Sequence, residues 1–544
     1  MNQHVDVAVL IVGAGPTGLT LACDLARRGV ACRIVEKAPE YFTGSRGKGL
    51  QPRSLEVLDD LGVIDAVLAA GAPYPSLRTY AGRTVVWEGR MDEPREPTPD
   101  VPYANIWMLP QWRTEELLRA RLTALGGHVE LATELIGFEQ DEEGVTATLL
   151  RPGGTERIRT SYLVGADGGR SFVRKHLGVG FEGETYETDR MLIGDFQVEG
   201  LDRDSWHTWA DPEKRTLKVG LCPLPGTNVF QFTAPFSSDD VPELSLESFQ
   251  KIFNEGSGRT DVRLHDPSWM SLYRTNIRMV DRYRVGRVFL AGDAAHVHSP
   301  AGGQGLNTGI QDAYNLGWKL GQVLAGASPA LLDSYEEERL PVAADVLGIS
   351  TRLHKRSAQG DPDAHRRGPE TQQLGLNYRG GPLARDERDA PGRVRAGDRA
   401  PDAPCHDAAG HPVRLFDTFR GPHFTLLAFG AAHADTVSRI TARYGPSVHV
   451  HTVVEPGAPT GSRSLVDTHG HARKGYDLDG DALVLVRPDG YIGLVTRAPS
   501  ADSVDDYLGG FGSAGETAPV LPAAADPIRS LGGALERVSC ATRR

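Results

Sequence analysis

The stretch Val7-Ala8-Val9-Leu10-Ile11-Val12-Gly13-Ala14-Gly15-Pro16-Thr17-Gly18 decides the fold of the first part of this 544-residue chain. Its beginning is a nearly continuous apolar run, which is typical of a parallel strand buried on both faces. The run Gly13–Gly18 then fits G-x-G-x-x-G and leads into the helical pattern of Leu19–Arg28. A second short strand follows at Ala31–Val35. The sequence therefore predicts a β-α-β unit of a Rossmann-like nucleotide-binding fold.

Each glycine of this turn has its own expected role. Gly13 permits the tight turn, Gly15 lets the backbone approach a pyrophosphate, and Gly18 allows the helix to pack closely on the strand. Glu36 ends the next strand, where a carboxylate accepts hydrogen bonds from a ribose, so FAD or NAD is favoured over NADP. The alternative is a Gly-rich packing turn. The same pattern recurs at 510–515, but it follows a helix and precedes a Pro-rich tail, which indicates a flexible chain end.

Composition excludes several classes of protein. Hydrophobic residues make up 40% and charged residues 24% of the chain, as in an ordinary globular protein. The net charge of −12 argues against a general nucleic-acid or anionic-membrane binder. The five cysteines form no CxxC or Cys/His cluster, so no metal site is expected and a reducing cytoplasm is favoured. No unbroken run of about 18 apolar residues occurs, so no membrane-spanning helix is expected.

Changes in pattern along the chain predict its organisation as an α/β protein. Alternating strands and helices are interrupted by a β-rich segment, and a second compact αβ pattern follows a stretch rich in Arg, Asp, Gly and Pro. The predicted segments are a nucleotide-binding domain in two parts (1–180 and 279–353), an inserted β-sheet substrate domain (181–278), a linker (354–395), a C-terminal domain (396–511) and a tail (512–544).

Two further motifs carry chemistry. An apolar strand ends at Gly292-Asp293, at the edge where such sheets bind ligands, although Asp293 alone is also compatible with a helix cap. The Gly-rich loop Ser299–Asn307 then feeds a long helix, whose free N–H groups and dipole favour negative charge. The third motif, Tyr162–Ser171, places Asp167 after a strand, where a simple capped turn is the alternative.

In series, the three motifs resemble those of the class A FAD-dependent aromatic hydroxylases, the para-hydroxybenzoate hydroxylase fold group, over roughly residues 5–350. The resemblance implies that Glu36 binds the adenine ribose, Arg46 the pyrophosphate region, and Gln111 and Asp293 the ribityl chain. Asp167 would serve both FAD and NAD(P)H. The resemblance also implies that the backbone N–H groups of Gly305, Leu306 and Asn307 face the flavin pyrimidine. It further implies that Pro300 and Gly303 lie in a loop at the reactive edge of the flavin.

The C-terminal segment narrows this resemblance. Residues 396–511 resemble the thioredoxin-like domain of phenol hydroxylase and of the hydroxylases that tailor aromatic polyketides. The position of the thioredoxin redox cysteines reads Gly430-Ala431-Ala432-His433, without a thiol. A structural or oligomer-forming role is therefore expected.

The inserted sheet holds the candidate substrate residues. Trp206 lies on a predicted strand, and Phe230 and Phe232 share one face by the period of two, so they line the substrate pocket if that face turns to the flavin. A place in the core is the alternative for these aromatics. His296 and His298 are predicted to pack or hydrogen-bond rather than bind metal or act as a base.

The resemblance implies an FAD-dependent monooxygenase that hydroxylates a phenolic or polycyclic, polyketide-like aromatic through a flavin C4a-hydroperoxide. The expected co-substrates are O₂ and NAD(P)H, with NADPH favoured. The expected location is the cytoplasm, and a homodimer is compatible with the C-terminal domain. The alternatives are Baeyer–Villiger oxygenation of a polycyclic ketone, hydroxylation that inactivates an antibiotic, a flavin-dependent dehydrogenase, and a non-catalytic binding protein on the same scaffold.

Overall fold

The computed structural model describes residues 5–211, 213, 216–236, 241–359, 361, 366–430, 433–498 and 500–511, with the backbone alone at 186–189 and 357–358. The predicted tail 512–544 lies outside the described residues, as does most of the second glycine pattern. Within the described ranges, no helix is both long and apolar enough to cross a membrane.

The nucleotide-binding sheet is built around the strand Val7–Val12. This strand pairs in parallel with Gly154–Gly165 on one side and with Cys32–Val35 on the other. The helix Pro16–Arg27 connects Val7–Val12 to Cys32–Val35, so the predicted β-α-β unit is confirmed. Its other strands are Val129–Glu130, Glu134–Gln140, Val145–Arg151, Arg284–Val285 and Val288–Leu290.

Helices cover this sheet. The helix Gly305–Leu324 packs closely on Pro16–Arg27. Gly317 permits this close approach, since a Cβ added there would lie 2.3 Å from an Asp24 carboxylate oxygen. The helix Asp333–Ala358 is continuous through Pro341. The remaining helices of this part are Pro52–Asp60, Ile64–Ala70, Gln111–Ala124 and Phe172–His176.

The inserted sheet forms one wall of the site. Its strands are mostly antiparallel, and the helix Leu246–Ser257 packs on the face that points away from the nucleotide-binding sheet. Two strands from the first segment, Ser76–Ala81 and Thr84–Gly89, extend its edge. The other strands are Glu182–Glu199, Ser205–Ala210, Leu217–Pro223, Val229–Phe236, Arg263–Met279 and His296–Val297. A small sheet of Gly49–Leu50, Ala72–Pro73 and Trp107–Met108 lies beside it.

The C-terminal domain has its own mixed sheet. Its central strand, Phe424–Phe429, is parallel to Val448–Val454 and antiparallel to Ala482–Val486. The turn 487–490 joins that last strand to the antiparallel strand Ile492–Thr496, which forms a hairpin. Its other strands are Arg385–Asp386, Pro404–His406, Pro412–Arg414 and Ser464–Val466, and its helices are Leu415–Phe419, Ala434–Tyr444, His471–Gly475 and Asp502–Gly509.

The segment predicted as a linker packs against the rest of the chain. The helix Asp333–Ala358 extends into it, and Arg385–Asp386 joins the C-terminal sheet. Between them, the Gln373 amide bonds Gln304 and Gln311 in the interior of the first part. This segment is therefore not a free tether, and the exact domain boundaries stay predictions.

Candidate active site

A large cavity separates the nucleotide-binding sheet from the inserted sheet. Its volume is about 3140 Å³. Pockets for small molecules usually measure roughly 300–1,000 Å³, so there is space for a dinucleotide together with a second ligand. The glycine turn, the Gly292-Asp293 motif and the Gly-rich loop all reach its lining.

The three glycines of the turn differ in what surrounds them. Gly13 has φ +103°, and a Cβ there would lie 2.3 Å from the carbonyl oxygen of Ala166. A Cβ at Gly18 would lie 2.0 Å from the carbonyl oxygen of Gly13. Gly15 borders the cavity with no atom within 4 Å of an added Cβ. The turn thus leaves open space at the one glycine whose backbone a pyrophosphate needs to approach.

Glu36 and Arg46 border the same end of the cavity. The Glu36 carboxylate accepts hydrogen bonds from the backbone N–H groups of Ala14 (3.1 Å) and Ala38 (3.0 Å), which holds it beside the glycine turn. The Arg46 guanidinium lies 5.9 Å from the Trp269 ring centroid, over the ring. A carboxylate and a guanidinium near one turn suit a ribose and a pyrophosphate.

Gln111 and Asp293 line the middle of the cavity. The Gln111 amide donates to Glu115 (2.9 Å) and accepts from the backbone N–H of Gly47 (3.1 Å), which fixes its orientation at the start of its helix. Burial raises the pKa of Glu115 to about 7. Burial also raises the pKa of Asp293, against the opposing effects of nearby positive charge. The Asp293 carboxyl therefore faces the cavity in surroundings that disfavour its charge.

Asp167 borders the cavity but is occupied by its own chain. It accepts from the hydroxyl of Ser171 (2.5 Å) and from the backbone N–H of Phe172 (2.7 Å), so it caps the short helix that follows. One turn on, the Arg174 guanidinium donates to the carbonyl oxygen of Ala294 (2.8 Å). The geometry fits the capped turn, and a contact of Asp167 with FAD or NAD(P)H stays a prediction. Arg174 ties this motif to the Gly292-Asp293 motif.

The Gly-rich loop borders the cavity through Pro300, Gly303, Gly305 and Leu306. Asn307 has a different place: its side chain accepts from the backbone N–H of Gln51 and donates to two carbonyl oxygens, each at 2.8 Å. The Asn307 side chain thus clamps the loop, whose first helical N–H groups point along the helix axis toward the cavity. Contacts between these backbone groups and flavin stay predictions.

The prediction that Phe230 and Phe232 line the substrate pocket is wrong. Both side chains are buried in the core beneath the inserted sheet, where Phe232 packs on Phe249 of the covering helix. By strand alternation the cavity face carries Gln231 and Thr233 instead. The helix Leu246–Ser257 covers the phenylalanine face, and burying those rings against it stabilises the sheet. Trp206 does line the cavity, as predicted.

Lys48 is a cavity residue that the sequence analysis missed. Its Nζ donates to the Gln231 side chain at 2.5 Å and lies 3.9 Å from the Trp206 ring centroid. Burial lowers the pKa of Lys48. No spacing or motif marks this lysine, because its partners come from strands far away in sequence. Its amino group therefore lies on the substrate side of the cavity, beside Trp206.

The residues present fit FAD. The open backbone at Gly15, the Glu36 carboxylate and the helix beginning at Gly305 lie along one cavity and match the three chemically different parts of that molecule. Within the described ranges, no group of three or more His, Cys, Asp or Glu side chains is arranged to hold a metal ion.

Comparison with known proteins agrees with this geometry. Residues 6–350 match the family described as FAD binding domain, and residues 393–511 match that described as aromatic-ring hydroxylase, C-terminal. A flavin-dependent monooxygenase of Mycobacteroides abscessus is 49% identical, over 92% of this chain and 99% of its own length. A rifampicin monooxygenase of Streptomyces venezuelae is 39% identical, over 66% of this chain and 74% of its own.

A solved structure is similar over nearly the whole chain. Aklavinone-11 hydroxylase, in a ternary complex with FAD and aklavinone, superposes with a TM-score of 0.79 at 29% identity, covering 94% of this chain and 99% of its own. The first family match alone spans more than half of the chain. The chain therefore belongs to the FAD-dependent aromatic-ring hydroxylases, and it is a flavin monooxygenase.

Proposed function

We propose that this monooxygenase hydroxylates a phenolic ring of a polycyclic, polyketide-like compound, with O₂ and NAD(P)H as co-substrates and NADPH favoured. The observation that carries the proposal is the continuous cavity of about 3140 Å³, which runs from the glycine turn to the Trp206 face of the inserted sheet. A single-ring substrate would leave most of the substrate side open to water. A fused-ring compound would fill it and exclude water.

Different residues around the cavity would bind different parts of FAD. Gly15, Glu36 and Arg46 would hold the dinucleotide end of FAD, and Gln111 and Asp293 its ribityl chain. Bound FAD supplies hydride acceptance and oxygen activation. The N–H groups at Gly305, Leu306 and Asn307 would stabilise negative charge at the flavin pyrimidine, while Pro300 and Gly303 would border its reacting edge.

The substrate would lie against the inserted sheet. Trp206 offers an aromatic surface, and the Lys48 amino group beside it would donate a hydrogen bond to an ionised phenol or enol. Phenolate oxygens increase the electron density of a ring at the ortho and para carbons. A hydrogen-bond donor that stabilises the phenolate would therefore activate the ring for hydroxylation.

Hydroxylation of an antibiotic is a second candidate, favoured by the 39% identity to a rifampicin monooxygenase. The two candidates share their chemistry and differ in substrate. We also propose that the enzyme works in the cytoplasm, since NADPH and reduced thiols are found there. We propose further that it forms a homodimer. Light scattering on the purified protein measures the subunit number.

The test is turnover of the FAD-loaded enzyme with a panel of fused-ring phenols that includes rifampicin. Flavin reduction by NADPH and NADH is followed by stopped-flow absorbance, and products are examined by mass spectrometry under isotopically labelled O₂. We expect reduction to accelerate with one phenol class, and one labelled oxygen atom to enter the ring. Labelled oxygen in a lactone, or turnover without O₂, would contradict hydroxylation.

A pair of variants tests the substrate side of the cavity. We expect Lys48→Met to raise KM for the phenol and to leave FAD content unchanged. Lys218→Met, on the inserted sheet, is the matched control, because the Lys218 side chain is 44% exposed. Equal KM values in the two variants would contradict the proposed placement of the substrate.

A further inference from the structure

The strand Thr84–Gly89 is the edge strand of the inserted sheet, and its pairing is irregular. Val85 and Trp87 pair with consecutive residues of the strand Ser76–Ala81, so Val86 is the extra residue of a β-bulge. A β-bulge re-aims side chains and is over-represented beside active sites. Val86 and Trp87 both border the large cavity and are 60% and 39% exposed. The bulge therefore presents two apolar side chains to the cavity, where a ligand can reach them.

The indole ring of Trp87 lies over the backbone of Gly89. A Cβ added at Gly89 would lie 2.4 Å from the Trp87 Cζ2 atom, so the ring has this place because glycine has no side chain. Gly89 pairs with Leu77, and Leu77 pairs with Trp206 on the next strand. Directly paired residues share one face of a sheet, and Leu77 and Trp206 both border the cavity. The side chains of Trp206, Leu77 and Trp87 thus form one apolar strip across three adjacent strands.

The apolar strip begins beside the Gly-rich loop. The Lys48 Nζ lies 3.9 Å from the ring centroid of Trp206. The residue after Lys48 contacts the loop directly, because the Gly49 carbonyl oxygen accepts from the Asn307 side chain at 2.8 Å. Trp206 is therefore the end of the strip nearest to the loop. Trp87, on the edge strand, is the far end.

The length of the apolar strip limits which ligands can cover it. Neighbouring strands lie about 4.8 Å apart, so the strands of Trp206 and Gly89 are about 10 Å apart. Four linearly fused aromatic rings are about as long as this span, and two are about half as long. A two-ring phenol beside Lys48 would therefore contact Trp206 without reaching Trp87. A linear four-ring phenol would lie along the whole strip, whose three side chains carry no charge.

We propose that Trp87 is a specificity-determining residue that stacks on the distal rings of a linear fused-ring phenol, while the reacting ring lies at Trp206. The inference rests on the proposed function, since it requires a phenolic substrate, and it adds the shape of that substrate. Stacking on an aromatic ring favours flat aromatic partners over other apolar groups of equal area. Trp87 makes and breaks no bond. Its contact selects long substrates and aligns them along the strip.

The test compares phenols of increasing length. Calorimetry measures the dissociation constants of FAD-loaded enzyme for naphthol, alizarin and a linear dihydroxytetracenequinone, which have two, three and four fused rings. We expect wild-type enzyme to bind the four-ring phenol most tightly. Trp87→Ala should weaken that binding about tenfold or more and change naphthol binding less than about twofold. In turnover of the four-ring phenol, KM should rise with kcat nearly unchanged, because the reacting ring keeps its contacts.

Two further variants separate the position of the ring from its presence. Gly89→Ala keeps the indole but places a Cβ in its way, so the ring must move, and we expect the same loss as in Trp87→Ala. Trp87→Phe keeps an aromatic surface and should retain most of the preference for long phenols. Val85→Ala is the matched control. Val85 is on the same strand and 46% exposed, but it is not among the described residues that border the cavity.

The outcomes distinguish this inference from the proposed function. A merely structural role of Trp87 would weaken binding of all three phenols by one factor, so equal losses for naphthol and the four-ring phenol would overturn the inference. Unchanged binding of the four-ring phenol in Trp87→Ala and Gly89→Ala would overturn it as well. Wild-type enzyme that hydroxylates none of the three phenols would instead contradict the proposed function, and the calorimetric comparison would still decide the role of Trp87.

Discussion

Replacing Glu338 by Gln tests how the C-terminal domain is attached to the rest of the enzyme. Glu338 accepts from Lys319 Nζ at 2.7 Å and from the Arg487 guanidinium at 2.6 and 3.0 Å. Arg487 also bonds Asp489, which accepts from the Trp318 indole at 3.0 Å. The turn 487–490 is thus held by charges on two helices of the nucleotide-binding part.

The expected cost follows from burial. The side chains of Glu338, Lys319 and Arg487 are 1%, 0% and 0% exposed, and burial lowers the pKa of Lys319 to about 8 despite the nearby carboxylate. Glu338→Gln keeps the shape and removes one charge, so a buried cation loses its counter-charge. Removing one partner of a buried ion pair costs about 3–5 kcal/mol. We expect the free energy of unfolding to fall by about that amount.

The assay is urea unfolding of the FAD-loaded enzyme, monitored by tryptophan and flavin fluorescence. Glu116→Gln is the matched control: Arg113 and Glu116 lie 2.5 Å apart but are 38% and 47% exposed. An exposed pair contributes about 0.2–1 kcal/mol, so this variant should unfold almost like wild type. Equal losses in the two variants, or a loss below about 1 kcal/mol in Glu338→Gln, would refute the argument from burial.

Further predictions concern cofactor, substrate and pH. Gly18→Ala places a Cβ 2.0 Å from a carbonyl oxygen, so we expect the free energy of unfolding of the apoprotein, measured by thermal unfolding, to fall by about 1–3 kcal/mol. Gly15→Ala should keep the fold and weaken FAD binding, measured by calorimetry. Trp206→Ala should weaken substrate binding without changing Tm, whereas Phe232→Ala should cost about 3–5 kcal/mol in urea unfolding. Burial lowers the pKa of His423 to about 3. Unfolded histidine binds a proton below about pH 6.5, whereas buried His423 does not. This residue should therefore lower the free energy of unfolding by about 1.4 kcal/mol per pH unit as the pH falls from about 6.5 toward 3. The variant His423→Gln should show a smaller slope.

Each of these predictions has a contradicting outcome. Normal FAD affinity in Gly15→Ala would place the pyrophosphate elsewhere. A stable Phe232→Ala variant with impaired substrate binding would mean that the Phe232 ring lines the substrate pocket. An unchanged acid slope in His423→Gln would mean that this ring is protonated in the folded protein.

The local elements were predictable because their causes lie within a few residues. The strand-turn-helix at Val7–Gly18 follows from an apolar run and three glycines with defined steric roles. The hairpin at 487–490 follows from Pro-Asp-Gly between two apolar runs. The cavity position of Gly15, Glu36 and Asp293 follows because these residues end strands or begin turns at one edge of a sheet.

The features that sequence patterns do not reveal have a common cause, since each depends on how distant elements pack together. Period-two alternation places Phe230 and Phe232 on one face, but only the docking of Leu246–Ser257 decides that this face is the core. The stretch from 354 has the composition of a linker, yet it packs through contacts of Gln373 with residues that lie far away in sequence.

By itself, the sequence determined the nucleotide-binding unit, the order of the motifs and the expected cofactor, because short-range sterics and hydrogen-bonding capacity set those features. Only the tertiary structure decided that Lys48 meets Trp206 and that Arg487 pairs with Glu338. Such contacts join residues from separate elements. Their free energy depends on burial, which arises only when the sheets and helices pack together.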